Sequence, residues 1–431
     1  MVVTLSWSVC SKSLFGMKDS VITTGQSNII PAGDANLLRT PSLFTFLDHK
    51  SHFQRRRAVM GVFTQSFLQN NQDIQSLVDV ILLGRYLSIV RHHADRKTPL
   101  DISEINNAVA FDFVTSYIYG VSSGTNLLEN ASFRRTFLGH HYRERSQGFW
   151  KHELPFLVSL VKRLGFDVTT KSARWMQDWF SHAFDLSQAN LRKEDNGTRP
   201  VLVDHLQRSP NMARQSRIWN VDLAVVSEAH DHGVAGAETT GQVITNAMLA
   251  LSRRPFLQDN LRAELRSHLS SAKQPMRPVE LGRLPLLHAI VIETLRHRDP
   301  GPFPRQAPQR IASIAGCSNI PQGTRLTVYS HVIHRDPRVF PSPDDWDPSR
   351  WLSDLGLGSP ERCGEAGRSF LAFGGGDRTC VARNFAMFEI KALLAAVYST
   401  YKTRLAAAGP HQRPRATGIA PKKTYVMFER A

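Results

Sequence analysis

A cysteine that follows a run of three glycines is the residue in this sequence best placed to do chemistry. Cys380 ends the run Phe373-Gly-Gly-Gly-Asp-Arg-Thr-Cys, and a stretch without Gly or Pro follows it. The apolar residues of that stretch include Ala386, Ile390, Leu393, Leu394 and Val397. Their helical spacing predicts a helix with one face in a core. A thiol just ahead of a helix meets free backbone N–H groups and the positive end of the helix dipole, which both favour the thiolate.

The rest of the run suits a flat and bulky group that carries carboxylates. Glycines let the backbone pass where a β-carbon would collide. Arg378 adds a cation two residues from the thiol, and a guanidinium pairs well with a carboxylate. A thiolate, a backbone free of side chains and a carboxylate clamp are what a haem needs on its proximal face.

The same run could also belong to other kinds of site. A lone cysteine is most often a small buried hydrophobe, and a glycine-rich turn before a helix can cradle phosphate. No Lys-Ser or Lys-Thr follows the glycines, so the phosphate-loop pattern fails. A zinc site needs several Cys or His ligands at short spacing, whereas Cys10, Cys317 and Cys363 are isolated.

The run resembles the haem-binding signature of the cytochrome P450 superfamily. Phe373, Gly376, Arg378 and Cys380 fill the pattern Phe-x-x-Gly-x-Arg-x-Cys in order, and Ala382 stands where the family usually has glycine. The resemblance implies that the cofactor is haem b, iron protoporphyrin IX, with the thiolate of Cys380 as its axial ligand.

A charged pair is expected inside an apolar helix. Glu293 and Arg296 stand one turn apart in a predicted helix over Leu284–Arg298 that is apolar on nearly every side. In a buried helix each charge needs its partner, and losing one costs about 3–5 kcal/mol. The pair resembles the family's Glu-x-x-Arg motif, which implies that Arg350, in a later Pro-x-Arg, completes a structural ionic lock.

Two further regions match cofactor-binding segments of the family. His52 and Arg56 are four residues apart on a predicted helix and therefore share a face. A basic run is usually a solvated face or a nucleic-acid patch. The resemblance instead implies that both residues clamp a haem propionate, as Arg305 does, and it leaves open which of the arginines at 55–57 takes part.

A long helix is predicted over Val221–Ser252, with Ala235-Gly-Ala-Glu-Thr-Thr in its middle. An interior glycine costs about 1 kcal/mol, and a threonine that bonds back to a carbonyl can bend a helix. The residues alone fit equally well a buried helix that uses small side chains for close packing. The resemblance implies that Thr239 hydrogen-bonds dioxygen and that Glu238 feeds protons from the water side.

Length and composition fit one large, mostly helical domain. The chain has 431 residues, 42% of them hydrophobic, and no linker or repeat divides it. We therefore expect a single catalytic domain over residues 1–431. The resemblance implies a mainly α fold with small β-sheets, a triangular prism that encloses the haem.

The net charge of +16 raises the question of a nucleic-acid partner, but the basic residues are scattered and no binding motif emerges. The resemblance implies a basic proximal face, including Arg383 and Lys391, that docks an NADPH-cytochrome reductase. Four cysteines without paired spacing indicate a reducing compartment.

The beginning of the chain departs from the family. Residues 1–18 contain no apolar run that could span a bilayer, so we expect a shortened N-terminus without the membrane anchor and without two strands, which leaves sheet edges exposed. The family implies the cytosolic face of the endoplasmic reticulum, and a chain without an anchor would be cytoplasmic. The apolar stretch at 149–161 fits a peripheral membrane contact and a core helix equally.

The expected function follows from the resemblance. It implies a haem-thiolate monooxygenase that inserts one oxygen atom from O2 into a hydrophobic small molecule. The segment from Ser227 to His232 resembles filamentous-fungal members, which favours a secondary metabolite: a terpenoid, a polyketide or an alkaloid. The alternatives are a non-hydroxylating haem-thiolate oxidase or isomerase, and an inactive, truncated haem protein.

Overall fold

The structure is a computed structural model that describes residues 2–4, 40–46, 48–146, 155–165, 171–192, 198–215, 220–268, 277–298, 302–307, 311–314, 317–352, 364–406 and 423–431. Most of the N-terminal stretch, Cys10, Cys363 and positions 149–154 of the apolar stretch lie outside the described residues. The described part is mainly helical with small β-sheets, so the predicted fold class is confirmed.

The described α-helices, numbered along the chain, are α1 (His49–Val59), α2 (Gln65–Asn70), α3 (Gln72–Leu77), α4 (Leu87–Asp95), α5 (Ile102–Tyr119), α6 (Ala131–Ser146), α7 (Pro155–Arg163), α8 (Lys171–Arg192), α9 (Val201–Arg208), α10 (Pro210–Gln215), α11 (Val221–Ser252), α12 (Pro255–His268), α13 (Pro278–Gly282), α14 (Pro285–His297), α15 (Ser330–Ile333), α16 (Gly364–Arg368) and α17 (Arg383–Tyr398). A π-helix (Val78–Tyr86) joins α3 to α4, and short 3-10 turns occupy Met60–Phe63, Pro348–Trp351 and Gly376–Arg378.

The described strands are β1 (Val2–Thr4), β2 (Leu100–Asp101), β3 (Pro302–Gln306), β4 (Ile311–Ile314), β5 (Cys317–Ile320), β6 (Arg325–Tyr329), β7 (Tyr401–Leu405) and β8 (Tyr425–Arg430). They form three small sheets, with the orders β1-β6-β3, β2-β8-β7 and β4-β5. All pairs are antiparallel except β1 with β6.

The first sheet has β1 at one edge and β3 at the other. β1 pairs in parallel with β6, with Val2 opposite Arg325 and Thr4 opposite Thr327. The residues Val-Val-Thr are β-branched and favour an extended backbone. A strand from the beginning of this chain therefore covers one edge of β6, while β3 covers the other.

α5 and α11 form the centre of the core. Nearly every residue of α5 is buried, with Glu104 as the exception. The two helices approach closely where Gly241 of α11 faces α5, because a Cβ at that position would lie 2.4 Å from Oδ1 of Asn107. α11 has the bounds predicted from the sequence, and the side chain of Asn220 caps it by accepting the N–H of Leu223.

The other predicted helices lie close to their expected positions. α14 falls inside the predicted range, and α1 contains the basic run. α17 begins three residues after Cys380, and Ile390, Leu393, Leu394 and Val397 of its predicted stripe are buried. These helices place three features around α11: the loop that ends at Cys380, the basic run of α1, and the pair of Glu293 and Arg296.

Candidate active site

The loop before α17 is shaped by its glycines. The N–H of Cys380 donates to the carbonyl of Phe373 at 2.9 Å and closes the loop. Gly374 and Gly376 have φ values of 73° and 68°, in the left-handed region that favours glycine. A Cβ at position 376 would meet nothing within 4 Å, so the backbone conformation, rather than crowding, requires glycine there.

Cys380 has accessible surface, yet burial raises the pKa of its thiol. A hydrogen bond from the backbone N–H of Ala382 and the charges of Arg56 and Arg383 act in the opposite direction. The stabilisation of the thiolate that the sequence predicts at the start of the helix is therefore present, but the effect of burial on the pKa is larger. A metal cation bound to the sulfur would stabilise the thiolate further.

The three consecutive arginines of α1 have separate partners. Arg55 is buried and pairs with the carboxylate of Glu228 in α11 at 2.7 Å. Arg56 turns to the cysteine loop, where its Nη1 donates to the carbonyl of Thr379 at 2.8 Å. Arg57 is exposed. The structure thus favours Arg56 as the arginine at the cysteine loop, which the sequence left open.

His52, Arg56, Arg305 and Arg378, here called the basic cluster, are close enough to affect one another. Burial, followed by the charges of Arg378 and Arg56, lowers the pKa of His52 to about 3. Burial, followed by the charge of Arg305, lowers the pKa of Arg378 to about 10. Asp377 opposes these effects at both residues. Positive charge therefore exceeds negative charge here, and a bound anion would be stabilised.

This set of residues fits a haem. A cysteine sulfur is a soft ligand that suits haem iron. The basic cluster supplies arginines, which pair with carboxylates such as the two propionates of a haem. Phe373 is partly buried, and the side chain of Arg383 stacks on its ring, with the guanidinium carbon 5.8 Å from the ring centre.

The two motif residues of α11 point in different directions. Thr239 is exposed, and its hydroxyl donates to the carbonyl of Ala235 at 2.7 Å. Glu238 is buried, lies 3.0 Å from Nε2 of His141 in α6, and pairs with Arg145. The carboxylate is thus held against α6, and neither α6 partner was identified from the sequence.

The glycine of the same motif serves close packing. A Cβ at Gly236 would lie 3.0 Å from Cγ2 of Val114 in α5, tighter than most real contacts. The hydroxyl of Thr239 bonds back to a carbonyl one turn earlier, as expected from the sequence. The packing interpretation therefore applies to Gly236, while Thr239 remains available on the exposed face.

Glu293, Arg296 and Arg350, here called the ionic lock, are in direct contact. Arg296 donates to both carboxylate oxygens of Glu293 at 2.8 Å, and Arg350 donates to one of them at 3.0 Å. The indole N–H of Trp351 donates to the other oxygen at 2.9 Å. Trp351 was missed, although a buried indole next to Arg350 needs an acceptor.

A histidine connects the lock to the cysteine loop. His334 accepts the backbone N–H of Leu371 at its Nε2, so its Nδ1 donates to the carbonyl of Arg296 at 3.1 Å. Arg296 donates in return to the carbonyl of His334. Leu371 lies two residues before Phe373. The lock therefore helps to fix the start of the loop that carries Cys380.

One predicted surface residue is buried. Lys391 was expected on a docking face, but its Nζ donates to the carbonyl of Leu281 at 3.3 Å inside the protein. Burial lowers the pKa of Lys391 to about 8. The expectation for Lys391 is wrong because its place on α17 faces α13 rather than solvent.

A search of the described helices for one that is long and apolar enough to cross a bilayer found none. The helix α7 nevertheless carries exposed apolar side chains. Phe156 is 80% exposed, and Leu157 and Leu160 are exposed as well.

Comparison with known proteins matches these features to one family. The family model described as Cytochrome P450 matches residues 36–428. Cytochrome P450 monooxygenase penB of Penicillium thymicola is 34% identical over 381 residues, which are 83% of this chain and 79% of that protein. Cytochrome P450 monooxygenase FGM1 of Gibberella zeae is 26% identical over 382 residues, 85% of this chain and 72% of that protein. Fusicoccadiene C-8 hydroxylase of Alternaria brassicicola is 25% identical over 373 residues, 82% of this chain and 67% of that protein.

Proposed function

The chain belongs to the cytochrome P450 family and is a haem monooxygenase, and we propose that Cys380 is the axial ligand of its haem b. The observation that carries this proposal is the loop in which a thiol and the basic cluster are brought together. A thiolate ligand makes the bound haem able to activate dioxygen, because it donates electron density that favours cleavage of the O–O bond.

The protein side chains hold the cofactor in this proposal. Arg378, Arg56, Arg305 and His52 bind the propionate carboxylates, which offset the repulsion within the basic cluster. Phe373 and Gly376 shape the loop around the sulfur. The ionic lock keeps the loop in place through His334.

Thr239 and Glu238 manage protons in this proposal. Thr239 lies on the exposed face of α11 and can exchange its bond to the carbonyl of Ala235 for one to dioxygen. Glu238 faces α6, where Arg145 is 54% exposed at its side chain and gives the carboxylate a route to solvent. His141 contacts the same carboxylate from the buried side.

The substrate in this proposal is a hydrophobic small molecule of fungal secondary metabolism, hydroxylated with O2 and with electrons from an NADPH-cytochrome reductase. The relative named fusicoccadiene C-8 hydroxylase supports hydroxylation as the reaction. We propose that the exposed apolar face of α7 contacts a membrane surface at the cytosolic side of the endoplasmic reticulum. Its exposed Phe156 argues against the core-helix alternative.

The test of the proposed ligand is the absorption spectrum of the purified, dithionite-reduced protein with carbon monoxide. The red-shifted Soret band of a thiolate-ligated haem is expected, and the variant Cys380→Ser should lose it. Cys317→Ser is the matched control, since Cys317 belongs to β5 and not to the loop. A spectrum of Cys380→Ser that matches the parent, or a parent without a haem band, would refute the proposal and favour an inactive haem protein.

A second experiment separates hydroxylation from the non-hydroxylating alternatives. Thr239→Ala removes the hydroxyl while the cysteine loop keeps its haem. Peroxide release per NADPH consumed should rise, because dioxygen loses its hydrogen-bond partner. An unchanged peroxide yield would show that Thr239 has no part in oxygen chemistry and would favour an isomerase or oxidase.

A further inference from the structure

α11 carries a stripe of side chains with accessible surface in its middle section, where the other residues are buried or partly buried. Asp231, Ala235 and Thr239 are spaced four residues apart, so they share a face of the helix. Ala235 and Thr239 are exposed, and the side chain of Asp231 is 28% exposed, whereas Gly233 and Ala237 beside them are buried. The stripe extends about 12 Å along the helix axis from Asp231 to Thr239.

Asp231 is a carboxyl group without a cationic partner among the described residues. The hydroxyl of Ser42, in the segment 40–46, donates to its Oδ2. Nδ1 of His230 lies 3.8 Å from its Oδ1, but burial lowers the pKa of His230 to about 4, so that ring is neutral. Burial and then the carboxylates Glu228 and Glu144 raise the pKa of Asp231 to about 7, partly opposed by Ser42.

A second carboxylate, that of Glu228, lies on α11 one turn before Asp231. Glu228 is fully buried, and its Oε1 accepts from Arg55 and from the N–H of Leu43. That pairing matches the charge of Arg55 to Glu228 and leaves Asp231 unmatched. Oε2 of Glu228 has no hydrogen-bond partner among the described residues, nor has Nε2 of His232, 3.5 Å away.

We propose that Asp231 recognises a cationic substrate, one that carries a protonated amine or a quaternary ammonium group, at the end of the pocket opposite Thr239. The inference rests on the proposed function, because it takes the exposed stripe of α11 as a wall of the substrate pocket. It also places the oxidised carbon about 12 Å from the nitrogen, the length of the stripe.

Charge explains the choice of substrate class. A carboxylate taken out of water without a cation is unfavourable, and a ligand cation offsets that cost. An anionic ligand would be repelled by the carboxylate of Asp231. A neutral ligand would cover the carboxylate without pairing with it, so a cation of equal size should bind more tightly.

Three probes of equal chain length test the proposal on the haem-loaded full chain: decyltrimethylammonium, N,N-dimethyldecanamide and decylsulfonate, all below their micellar concentrations. The quaternary ammonium cannot coordinate iron. Calorimetry should give roughly ten-fold or tighter binding of the cation than of the neutral amide, and weaker binding still of the sulfonate. Equal binding of cation and amide by the parent protein would overturn the proposal without any variant.

Variants test whether Asp231 is the residue that causes the preference for the cationic probe. Asp231→Asn should abolish the preference for the cation, while Asp222→Asn, an equal change of charge at the exposed first turn of α11, should retain it. Ser42→Ala removes the hydroxyl but keeps the carboxylate, so it should also retain the preference. A preference that survives Asp231→Asn, or disappears with Ser42→Ala, would contradict recognition by the Asp231 carboxylate.

The carbon monoxide spectrum of the same preparations separates this inference from the proposed function. Calorimetry does not depend on the iron, so the preference is decided whether or not the thiolate band is present. A thiolate band without the cation preference refutes the inference alone. A cation preference without the band refutes the assignment of Cys380 and supports the role of Asp231.

Discussion

The ionic lock and the basic cluster are built from similar side chains but balance their charges differently. In the lock, Glu293 and Arg296 are fully buried, and every carboxylate oxygen is bonded by a cation or an N–H group. In the basic cluster, cations lower one another's pKa, and Asp377 opposes them only in part. The lock is complete within the chain, whereas the cluster needs an anion from outside it.

This difference separates a structural role from a binding role. A buried ion pair whose hydrogen bonds are satisfied fixes the positions of the elements that supply it. Cations gathered without matching anions keep some electrostatic repulsion, and a bound anion relieves it. Because His334 joins the lock to the cysteine loop, the first region can hold the second in position for its ligand.

The largest effect is expected from Glu293→Ala. The change leaves Arg296 and Arg350 without their carboxylate, so the free energy of unfolding should fall by about 3–5 kcal/mol. Urea unfolding of the purified protein measures it. The control is Asp344→Ala, which breaks the exposed pair with Arg335 and should cost less than about 1 kcal/mol. Equal losses in the two variants would contradict the view of the lock as a buried network.

A different response is expected from Arg378→Gln. The haem-free protein should not lose stability, because the change relieves repulsion within the basic cluster. Haem should be held less tightly by about 1.5–3 kcal/mol, the value of a hydrogen bond to a charged group. Haem transfer to apomyoglobin measures the loss, with the exposed Arg57→Gln as control. If haem-free Arg378→Gln lost as much unfolding free energy as Glu293→Ala, the basic cluster would be a structural element like the ionic lock, and the proposed difference between the two regions would be wrong.

The smallest effect near neutral pH is expected in the pH dependence of the haem-free protein. The pKa of His52 is lowered from 6.5 to about 3 in the folded state. Between these values the unfolded chain binds a proton that the folded chain does not, so stability falls as the pH falls. His52→Gln should reduce this slope by up to about one proton. Urea titrations at several pH values measure the slope, and identical slopes in variant and parent would show that His52 is not buried beside cations.

Much of the local architecture could be predicted because it depends on spacing within one helix. The bounds of α11 match the prediction. Glu293 and Arg296 meet because they are three residues apart on α14. His52 and Arg56 face the cysteine loop side of α1 for the same reason, as the bond from Arg56 to Thr379 indicates.

Contacts between distant segments could not be predicted. Nothing in a run of three arginines says that Arg55 pairs with Glu228, 173 residues away. The contact of Ser42 with Asp231 joins residues 189 apart. Lys391 was assigned to a docking face by the resemblance to the family, and only the packing of α17 against α13 shows that it is buried.

The sequence by itself determined that α1, α11, α14 and α17 form, which of their residues share a face, and that a thiol follows a glycine-rich loop ahead of a helix. These properties depend on backbone geometry over a few residues, which composition and spacing control. The tertiary structure decided which charges are matched and which are not. That balance depends on side chains brought together from remote parts of the chain, and it distinguishes the completed lock from the basic cluster and from Asp231.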